Sequence, residues 1–491
     1  MSSLSSPYRI TMKFGGTSVG SPDAIARVAD IVAQTRENAL HSTPRITSRQ
    51  AVVIVSAMSG VTNDLIRAAR AALRGDEAEV ARIVAGLRER HLETTAALIE
   101  ELGERGTLER EIVRLLDYLE GLCRAINVLG ELSPRGLDVV SGLGERLCAP
   151  IVAGTLRARG IAAEAIEATG LIVTDKLHGG ANPLIEQTRE RASARLLPLL
   201  ERGVVPVITG FIGAAEDGTP TTLGRGGSDY SATIIGTCID SDELWIWSDV
   251  DGVMTADPRV VPEARTIEAL SYTEATEFSY FGAKVIHPKT ILPAVERGIP
   301  LRILNSFDPT HPGTRIVAEP LSNGRVVKGI TSIREVSEVT VEGRGMIGIP
   351  GIAARVFTAV AEEGVNVLMI SQSSSEQSIC FIVPVEAAAR TIQALNDAFE
   401  YDILRHNVER IWSVDDVAII AVVGERMKGT VGIASRLFGA LSAEGINILT
   451  IAQGSSEHNI SLVVAGNDVD RAVRAVHATF GLGNDHIQPA H

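Results

Sequence analysis

Cysteine is scarce in this chain, and the four present are scattered: Cys123, Cys148, Cys238 and Cys380 form no CxxC pair and have no histidine nearby at metal-ligand spacing. That excludes the disulfide framework of a small secreted domain, and the four read as reduced thiols of an intracellular protein. Aromatic residues make up only 4% of the sequence, so the cores must be built from Ala, Val, Ile and Leu. Positive charge is in deficit, with 46 basic against 60 acidic residues and a formal net charge of −14. This balance argues against nonspecific nucleic-acid binding and leaves room only for a local basic pocket. The opening MSSLSSPYR lacks the apolar core of a signal peptide, and no apolar run approaches the roughly 18 residues of a membrane span. A cytoplasmic location is therefore expected, without membrane or nucleic-acid partners. Two nucleotide signatures are missing as well. There is no GxxxxGK[ST] loop, and SGLGER supplies GxG without the third glycine of a dinucleotide fingerprint. HExxH and clustered histidines are absent, and the sequence identifies no metal ligands.

What is present is a long alternation of strand-like and helix-like segments. With 491 residues, 45% of them hydrophobic, several domains with substantial cores are expected. Residues 1 to 320 carry short apolar runs such as AVVIVSAM, GVVPVITGFIG and ELWIWSDV, bounded by turn residues as buried parallel strands are, with helical stretches between them. The pattern predicts an α/β sandwich on a mostly parallel sheet. Residues 65 to 130, rich in Arg, Glu, Leu and Ala, read as a helical excursion serving packing or regulation.

Polar clusters interrupt this alternation at strand ends. In RITMKFGGTSVGSPDAIARV, the strand-like run Ile10 to Phe14 closes on Lys13, Gly15 and Gly16, and Ser21-Pro22 is a good start for the following helix. Two glycines there let a ligand approach the main chain, and the helix offers unpaired N–H groups to an anion. SAMSGVTN offers Ser56, Ser59 and Thr62, SGLGERL offers Glu145, and TTLGRGGSDYSA offers Arg225, Gly226, Gly227, Ser228 and Asp229. WSDVDGVMTADPR carries Asp249, Asp251, Asp257 and Arg259, and YFGAKVIHPKT contributes Lys284. Singly, each cluster has a plain structural reading: a solvated turn, an ion pair, a helix start. Together at strand ends they suit phosphoryl transfer, which asks for positioning and charge neutralisation rather than a protein nucleophile. Lysines and glycine turns can hold a polyphosphate, an arginine can clamp a carboxylate, and Glu145 can meet an ammonium.

Beyond residue 335 the chain repeats itself. GIAARVFTAVAEEGVNVLMISQSSSE aligns without gaps on GIASRLFGALSAEGINILTIAQGSSE, 81 residues later (351 to 432), with 15 of 26 positions identical. Each copy reads as strand, helix, two strands, helix. The first copy, 335 to 415, has a further strand in YDILRHNVERIWSV; the second, 416 to 491, has no equivalent. The spare run RVVKGITSI at 325 to 333 is predicted to complete the second, so that the first copy is inserted into it.

KFGGTSVG, SAMSGVTN, GER, TLGRGGSDYSA, SDVDGVMTADPR and FGAKVIHP, in that order, resemble the aspartate kinases of the amino-acid-kinase superfamily, and the repeat resembles their paired ACT domains. The resemblance implies a three-layer amino-acid-kinase fold followed by two ferredoxin-like βαββαβ domains. It implies phosphorylation of the side-chain carboxylate of L-aspartate by Mg-ATP, the first step to lysine, threonine, methionine and isoleucine, with no tightly bound cofactor. By motif, Lys13 would neutralise the transferring phosphoryl group, Gly15 and Gly16 would donate N–H groups to it, and Asp229 would orient the lysines. Arg225, with Gly226, Gly227 and Ser228 beside it, would bind the substrate α-carboxylate and Glu145 its ammonium, while Ser56 and Thr62 would line the pocket. Phe14, Ser248, Asp249, Met254, Arg259 and Lys284 match nucleotide-site positions; many relatives have tyrosine where Met254 stands, so a hydroxyl is lost there.

The repeat looks most like the kinase half of fused aspartate kinase–homoserine dehydrogenases, and with the sequence ending at His491 a single-activity kinase is expected. Ile370 and Gln372, with Asn366 before them, match Ile451, Gln453 and Asn447 in the second copy, where fused relatives resemble threonine binders. Threonine is the preferred feedback effector and lysine the second, with a homodimer or larger homo-oligomer formed through the repeats. Two other readings stay open: a kinase for another amino-acid carboxylate such as glutamate, and a catalytically silent amino-acid sensor.

Overall fold

A computed structural model of the chain describes residues 7–41, 49–282, 286–319, 325–372, 377–427, 429–454 and 458–483. The chain divides into two compact units. One comprises residues 1–253, 268–272 and 285–320; the other comprises 254–267, 273–284 and 321–491. Chain order alone predicts a boundary near 320, but two segments before it pack with the later unit. The reason lies in their hydrogen bonds: the Thr255 carbonyl accepts from the Ile330 N–H, Glu274 accepts from the Glu425 N–H at 3.0 Å, and Thr331 donates to the Phe281 carbonyl at 2.7 Å.

The first unit is built on an eight-stranded sheet. Its spatial order is Ala163–Ile166, Val205–Thr209, Arg49–Val55, Tyr8–Phe14, Glu243–Ser248, Leu301–Asn305, Thr314–Val317 and Ala269–Ser271. All pairs are parallel except Leu301–Asn305 with Thr314–Val317. The second strand in sequence lies on one side of Tyr8–Phe14, and Glu243–Ser248, which comes much later, lies on the other. The order in which strands are added therefore reverses at Tyr8–Phe14, the position where loops part to leave a ligand crevice.

The helix Pro22–Arg36 begins at Ser21, whose hydroxyl accepts from the Ala24 N–H, and buries Ile25, Val28, Ala29 and Val32 on the sheet. The helical excursion forms Val61–Leu73, Glu77–Leu98 and Leu102–Leu129, whose buried Leu65, Leu87, Ile112 and Leu116 join the same core as the strands. The run read as one strand, GVVPVITGFIG, is two: Val205–Thr209 in the large sheet and Ile212–Ala215 in a separate three-stranded sheet. Phe211 between them takes a left-handed φ of 68°, which turns the chain from one sheet to the other. Among the described residues, Pro134–Ala158 is long and apolar enough to cross a membrane by composition, an exception to the expectation above. Most of its residues are buried inside the unit, and it packs as a core helical segment.

The second unit is a six-stranded antiparallel sheet in the order Met369–Gln372, Ser378–Pro384, Gly329–Glu342, Arg410–Val423, Asn459–Ala465, Thr450–Ala452. The two central strands each serve both repeats. Gly329–Ile333 pairs with 419–423 of the second copy, while Val336–Glu342 pairs with Ser378–Pro384 of the first. Each central strand bends at a left-handed residue, Glu335 with φ of 58° and Asp416 with φ of 55°, which occupy the same repeat position. The glycines that follow explain the shared architecture. A Cβ on Gly343 would sit 2.2 Å from the Asn407 carbonyl, and one on Gly424 would sit 2.2 Å from the Val326 carbonyl. Residues 326–333 thus stand to the second copy as 407–414 stand to the first.

Candidate functional site

The carboxyl ends of Tyr8–Phe14, Arg49–Val55 and Glu243–Ser248 open onto a cleft of about 550 Å³. Lys13, the penultimate residue of its strand, pairs in register with Ile54 on one side and Ile246 on the other, so its position is fixed by two parallel ladders. Its Nζ lies 2.6 Å from Asp229 Oδ1, and both side chains are mostly buried. Asp229 sits in the first turn of the helix Gly227–Cys238, whose cap, Gly226, has φ of 70°. The turn admits only small residues: a Cβ on Gly227 would lie 2.6 Å from Phe211, and one on Gly210 would lie 2.7 Å from Ser228. Lys13 is thereby held beside a helix N-terminus, and the two together form a strongly anion-attracting corner.

Glu145 lies in the first turn of Leu143–Ala158 and is 3% exposed. Gly144 allows this close packing, since a Cβ there would lie 2.6 Å from that of Ala57. One carboxylate oxygen accepts from the Ala57 N–H at 3.1 Å; the other is buried without a hydrogen-bond partner among the described residues. Burial pushes the Glu145 carboxyl up to about 8, against the smaller opposing effects of backbone hydrogen bonds and the charge of Lys13. A buried carboxylate left half-satisfied in a cleft wall is suited to meet a cationic ligand group.

Ser56, Thr62, Arg225, Gly226, Gly227, Ser228, Ser248 and Asp249 line the same cleft. Ser56 donates its N–H to the Phe14 carbonyl, and Thr62 opens the helix Val61–Leu73 behind the left-handed Gly60. Arg225 is exposed on its turn, with no ion-pair partner among the described residues. Ser248 donates to Asp249 at 3.1 Å, and its carbonyl accepts from both the N–H and the hydroxyl of Ser306. The glycine pair behaves differently from the sequence expectation in one respect. The Gly15 N–H donates to the Trp247 carbonyl at 3.2 Å, so it extends the strand ladder. Gly16 serves close approach, since a Cβ there would lie 3.1 Å from the Ala57 carbonyl.

The other nucleotide-site candidates fall elsewhere. Met254 and Arg259 belong to the second unit, where the Met254 sulfur accepts from Thr266 and Arg259 is exposed, its guanidinium forked onto Asp257. That hydrogen-bonded guanidinium holds the Asp257 carboxyl below its ordinary value. Lys284 lies outside the described residues.

Sequence reasoning missed three contributors. Phe211 lines the cleft in its left-handed conformation, its N–H bonded to the Ser231 hydroxyl at 2.9 Å. Asp138 is buried and accepts from His178 at 2.7 Å, Gly179 at 3.1 Å and Thr222 at 2.5 Å, tying the 178–179 loop to the strand that leads into the Arg225 turn. Arg90 bonds two of the cleft's loops from outside, as described below. Among the described residues no group of three or more His, Cys, Asp or Glu is arranged to hold a metal ion.

The second unit has a cavity of about 460 Å³ that brings Ile370 and Gln372 of one repeat together with Ile451 and Gln453 of the other. Phe281 and Asn459 complete its wall, and Ser371 donates to the Ile451 carbonyl at 3.2 Å, joining the two edge strands. Asn366 and Asn447 are exposed and do not line it. The matching of the repeats gives no hint that they fall outside, because each asparagine precedes the edge strand rather than lying in it.

The sequence profile of the amino acid kinase family matches residues 9–305, and that of the ACT domain matches 339–399 and 420–480. The chain is 38% identical over 479 residues to the maize (Zea mays) chloroplastic bifunctional aspartokinase/homoserine dehydrogenase 1, covering 96% of this chain and 50% of that protein. It is 32% identical over 478 residues to the chloroplastic aspartokinase 2 of Arabidopsis thaliana, covering 96% of this chain and 84% of the relative. The chain thus spans about half the length of the bifunctional relatives it matches. The solved structure of E. coli aspartokinase III in complex with aspartate and ADP superposes with a TM-score of 0.78 at 30% identity, over 96% of this chain and 99% of that one. The same enzyme in complex with lysine and aspartate gives a TM-score of 0.75.

Proposed function

We propose, for a chain that belongs to the aspartokinases of the amino acid kinase family, that it transfers the γ-phosphoryl group of Mg-ATP to the side-chain carboxylate of L-aspartate. A carboxylate oxygen attacks the γ-phosphorus, the bond to the β-phosphate oxygen breaks, and ADP and 4-phospho-L-aspartate leave. The observation that carries this reading is the convergence of charges in one cleft: Lys13 held on Asp229, half-satisfied Glu145, and Arg225, which has no ion-pair partner among the described residues. Glu145 and Arg225 are complementary to the ammonium and α-carboxylate of an amino acid, which leaves its side-chain carboxylate to meet the phosphoryl group. Lys13 and the N-terminus of Gly227–Cys238 are placed to stabilise the charge on the equatorial oxygens. Ser56 and Thr62 give the side-chain carboxylate hydrogen-bond donors. Ser248 and Asp249, with Phe14 at the strand end, make up the proposed nucleotide contacts of the first unit; Met254, Arg259 and Lys284 are assigned to the nucleotide by motif alone.

Feedback control belongs to the same proposal. The cavity shared by Ile370, Gln372, Ile451 and Gln453 has room for a small amino acid, two side-chain amides to read it and two apolar walls. Threonine is the preferred effector and lysine the second; a cytoplasmic homo-oligomer formed through the paired repeats completes the reading.

Steady-state ADP release by the purified chain tests both parts. Release should depend on L-aspartate, fail with L-glutamate, and fall when threonine is added. Gln372→Ala and Gln453→Ala should each relieve that inhibition without altering the uninhibited rate. ADP release with glutamate and not aspartate would reassign the substrate. A threonine or lysine response in a protein that never turns over would favour the sensor. An unchanged inhibition curve in both variants would remove the effector cavity from the proposal.

A further inference from the structure

We propose that Arg90, from the helical excursion, is a positioning residue that locks together the two loops flanking Lys13. This inference rests on the kinase reading of the cleft. Arg90 lies on the helix Glu77–Leu98 and does not itself line the cleft. One terminal nitrogen of its guanidinium donates to the Ser59 carbonyl at 2.8 Å and the other to the Gly20 carbonyl at 2.9 Å. Those carbonyls belong to different loops, one following Arg49–Val55 and the other following Tyr8–Phe14. The loops already touch without slack: a Cβ on Gly20 would lie 3.2 Å from that of Ser59, and one on Gly16 would lie 3.1 Å from the Ala57 carbonyl. Gly16, Ser59 and Gly60 all line the cleft.

A planar fork with two parallel donors is what arginine offers and lysine does not. A trans peptide points its N–H opposite to its carbonyl, so fixing the Ser59 carbonyl on Arg90 also turns the Gly60 N–H away from Arg90. Arg90 therefore sets the orientation of main-chain groups in the cleft wall. The helix that carries it is itself braced. Leu87 and His91 are buried on either side, Thr94 donates to the Arg90 carbonyl at 2.7 Å, and Arg88 pairs with Asp117 of Leu102–Leu129 at 2.8 Å. The excursion thus clamps the phosphate side of the cleft from behind.

The test compares Arg90→Ala, Arg90→Lys and Arg88→Ala in the full chain, by kinetics with Mg-ATP and L-aspartate and by calorimetry of ADP binding. Misplacing a cradle by about 1 Å costs up to roughly 100-fold. Arg90→Ala should therefore lose roughly 10- to 100-fold in kcat/KM for ATP, with KM for ATP rising more than KM for aspartate. Methylguanidinium added to Arg90→Ala should restore part of the lost rate and leave Arg88→Ala unaffected. Arg90→Lys should fold normally yet keep a defect, because one ammonium cannot hold both carbonyls in the same geometry; this variant decides the matter if Arg90→Ala fails to fold. Wild-type kinetics in Arg90→Lys and Arg90→Ala, or an equal loss in Arg88→Ala, would overturn the proposal. Should the wild type not phosphorylate aspartate, the kinase reading fails on its own account. ADP affinity then still reports on Arg90: a roughly tenfold loss in Arg90→Ala against none in Arg88→Ala supports the clamp, and equal affinities refute it.

Discussion

Turnover is expected to fall by roughly a thousandfold or more in Lys13→Ala, equivalent to about 4 kcal/mol of lost transition-state stabilisation. The change removes the positive charge at the strand end and leaves the Asp229 carboxylate, now without its counter-charge, facing the incoming phosphates. Asp229→Asn should lose a comparable amount for the opposite reason, because the lysine keeps its charge but loses the partner 2.6 Å away that fixes it. Lys13→Arg should not rescue the rate, since a forked guanidinium cannot occupy the place of a compact ammonium between two glycine turns. Kinetics of the three variants check this: a loss confined to KM in Lys13→Ala would show that the lysine serves ground-state binding only.

Glu145→Gln is expected to have the second largest effect, and to separate binding from stability. Without a substrate ammonium, burial holds the Glu145 carboxyl protonated up to about pH 8, well above its ordinary 4.5. The native state then keeps a proton that the unfolded chain gives up. This contribution to stability is full below pH 4.5 and is lost progressively as pH rises from there to about 8. Glutamine carries no such dependence. The melting temperature of Glu145→Gln should therefore gain on the wild type as pH rises through that window. Aspartate binding should suffer instead, with KM raised roughly 100-fold, because the ammonium loses a buried counter-charge. Wild-type binding at neutral pH should release a proton from Glu145, visible as a heat that changes with the ionisation enthalpy of the buffer. A pH-independent difference in melting temperature, or an unchanged KM for aspartate, would contradict the assignment.

Much of this cleft was legible in the sequence because its main elements are local. An apolar strand that ends in lysine and two glycines, then Ser-Pro, specifies a strand, a tight turn and a capped helix within about a dozen residues, and Lys13 stands where that pattern puts it. Glu145 and the GRGGSD turn are legible for the same reason. The remainder depends on contacts that no short stretch encodes. Asp138 gathers partners 40, 41 and 84 residues away, and Arg90 reaches carbonyls 31 and 70 residues away. One more arginine on a charged helix carries no mark of such a role. Phe211 hides inside an apolar run that reads as uninterrupted strand, and only its φ of 68° reveals the turn. The sequence shows a glycine pair but not the Trp247 carbonyl across the ladder, which accepts from the Gly15 N–H. In the repeats, the matched spacing of 81 residues was enough to pair Gln372 with Gln453 and Ile370 with Ile451, but not to place Asn366 and Asn447.

The most direct test of the central claim is chemical identification of the product. Purified protein incubated with Mg-ATP, L-aspartate and hydroxylamine should yield the side-chain hydroxamate of aspartate in step with ADP, since hydroxylamine captures an acyl phosphate and leaves the amino acid labelled at the activated carbon. Aspartate β-hydroxamate formed one for one with ADP is the predicted result. ADP without hydroxamate, or hydroxamate from glutamate in preference to aspartate, would contradict phosphorylation of aspartate at this cleft.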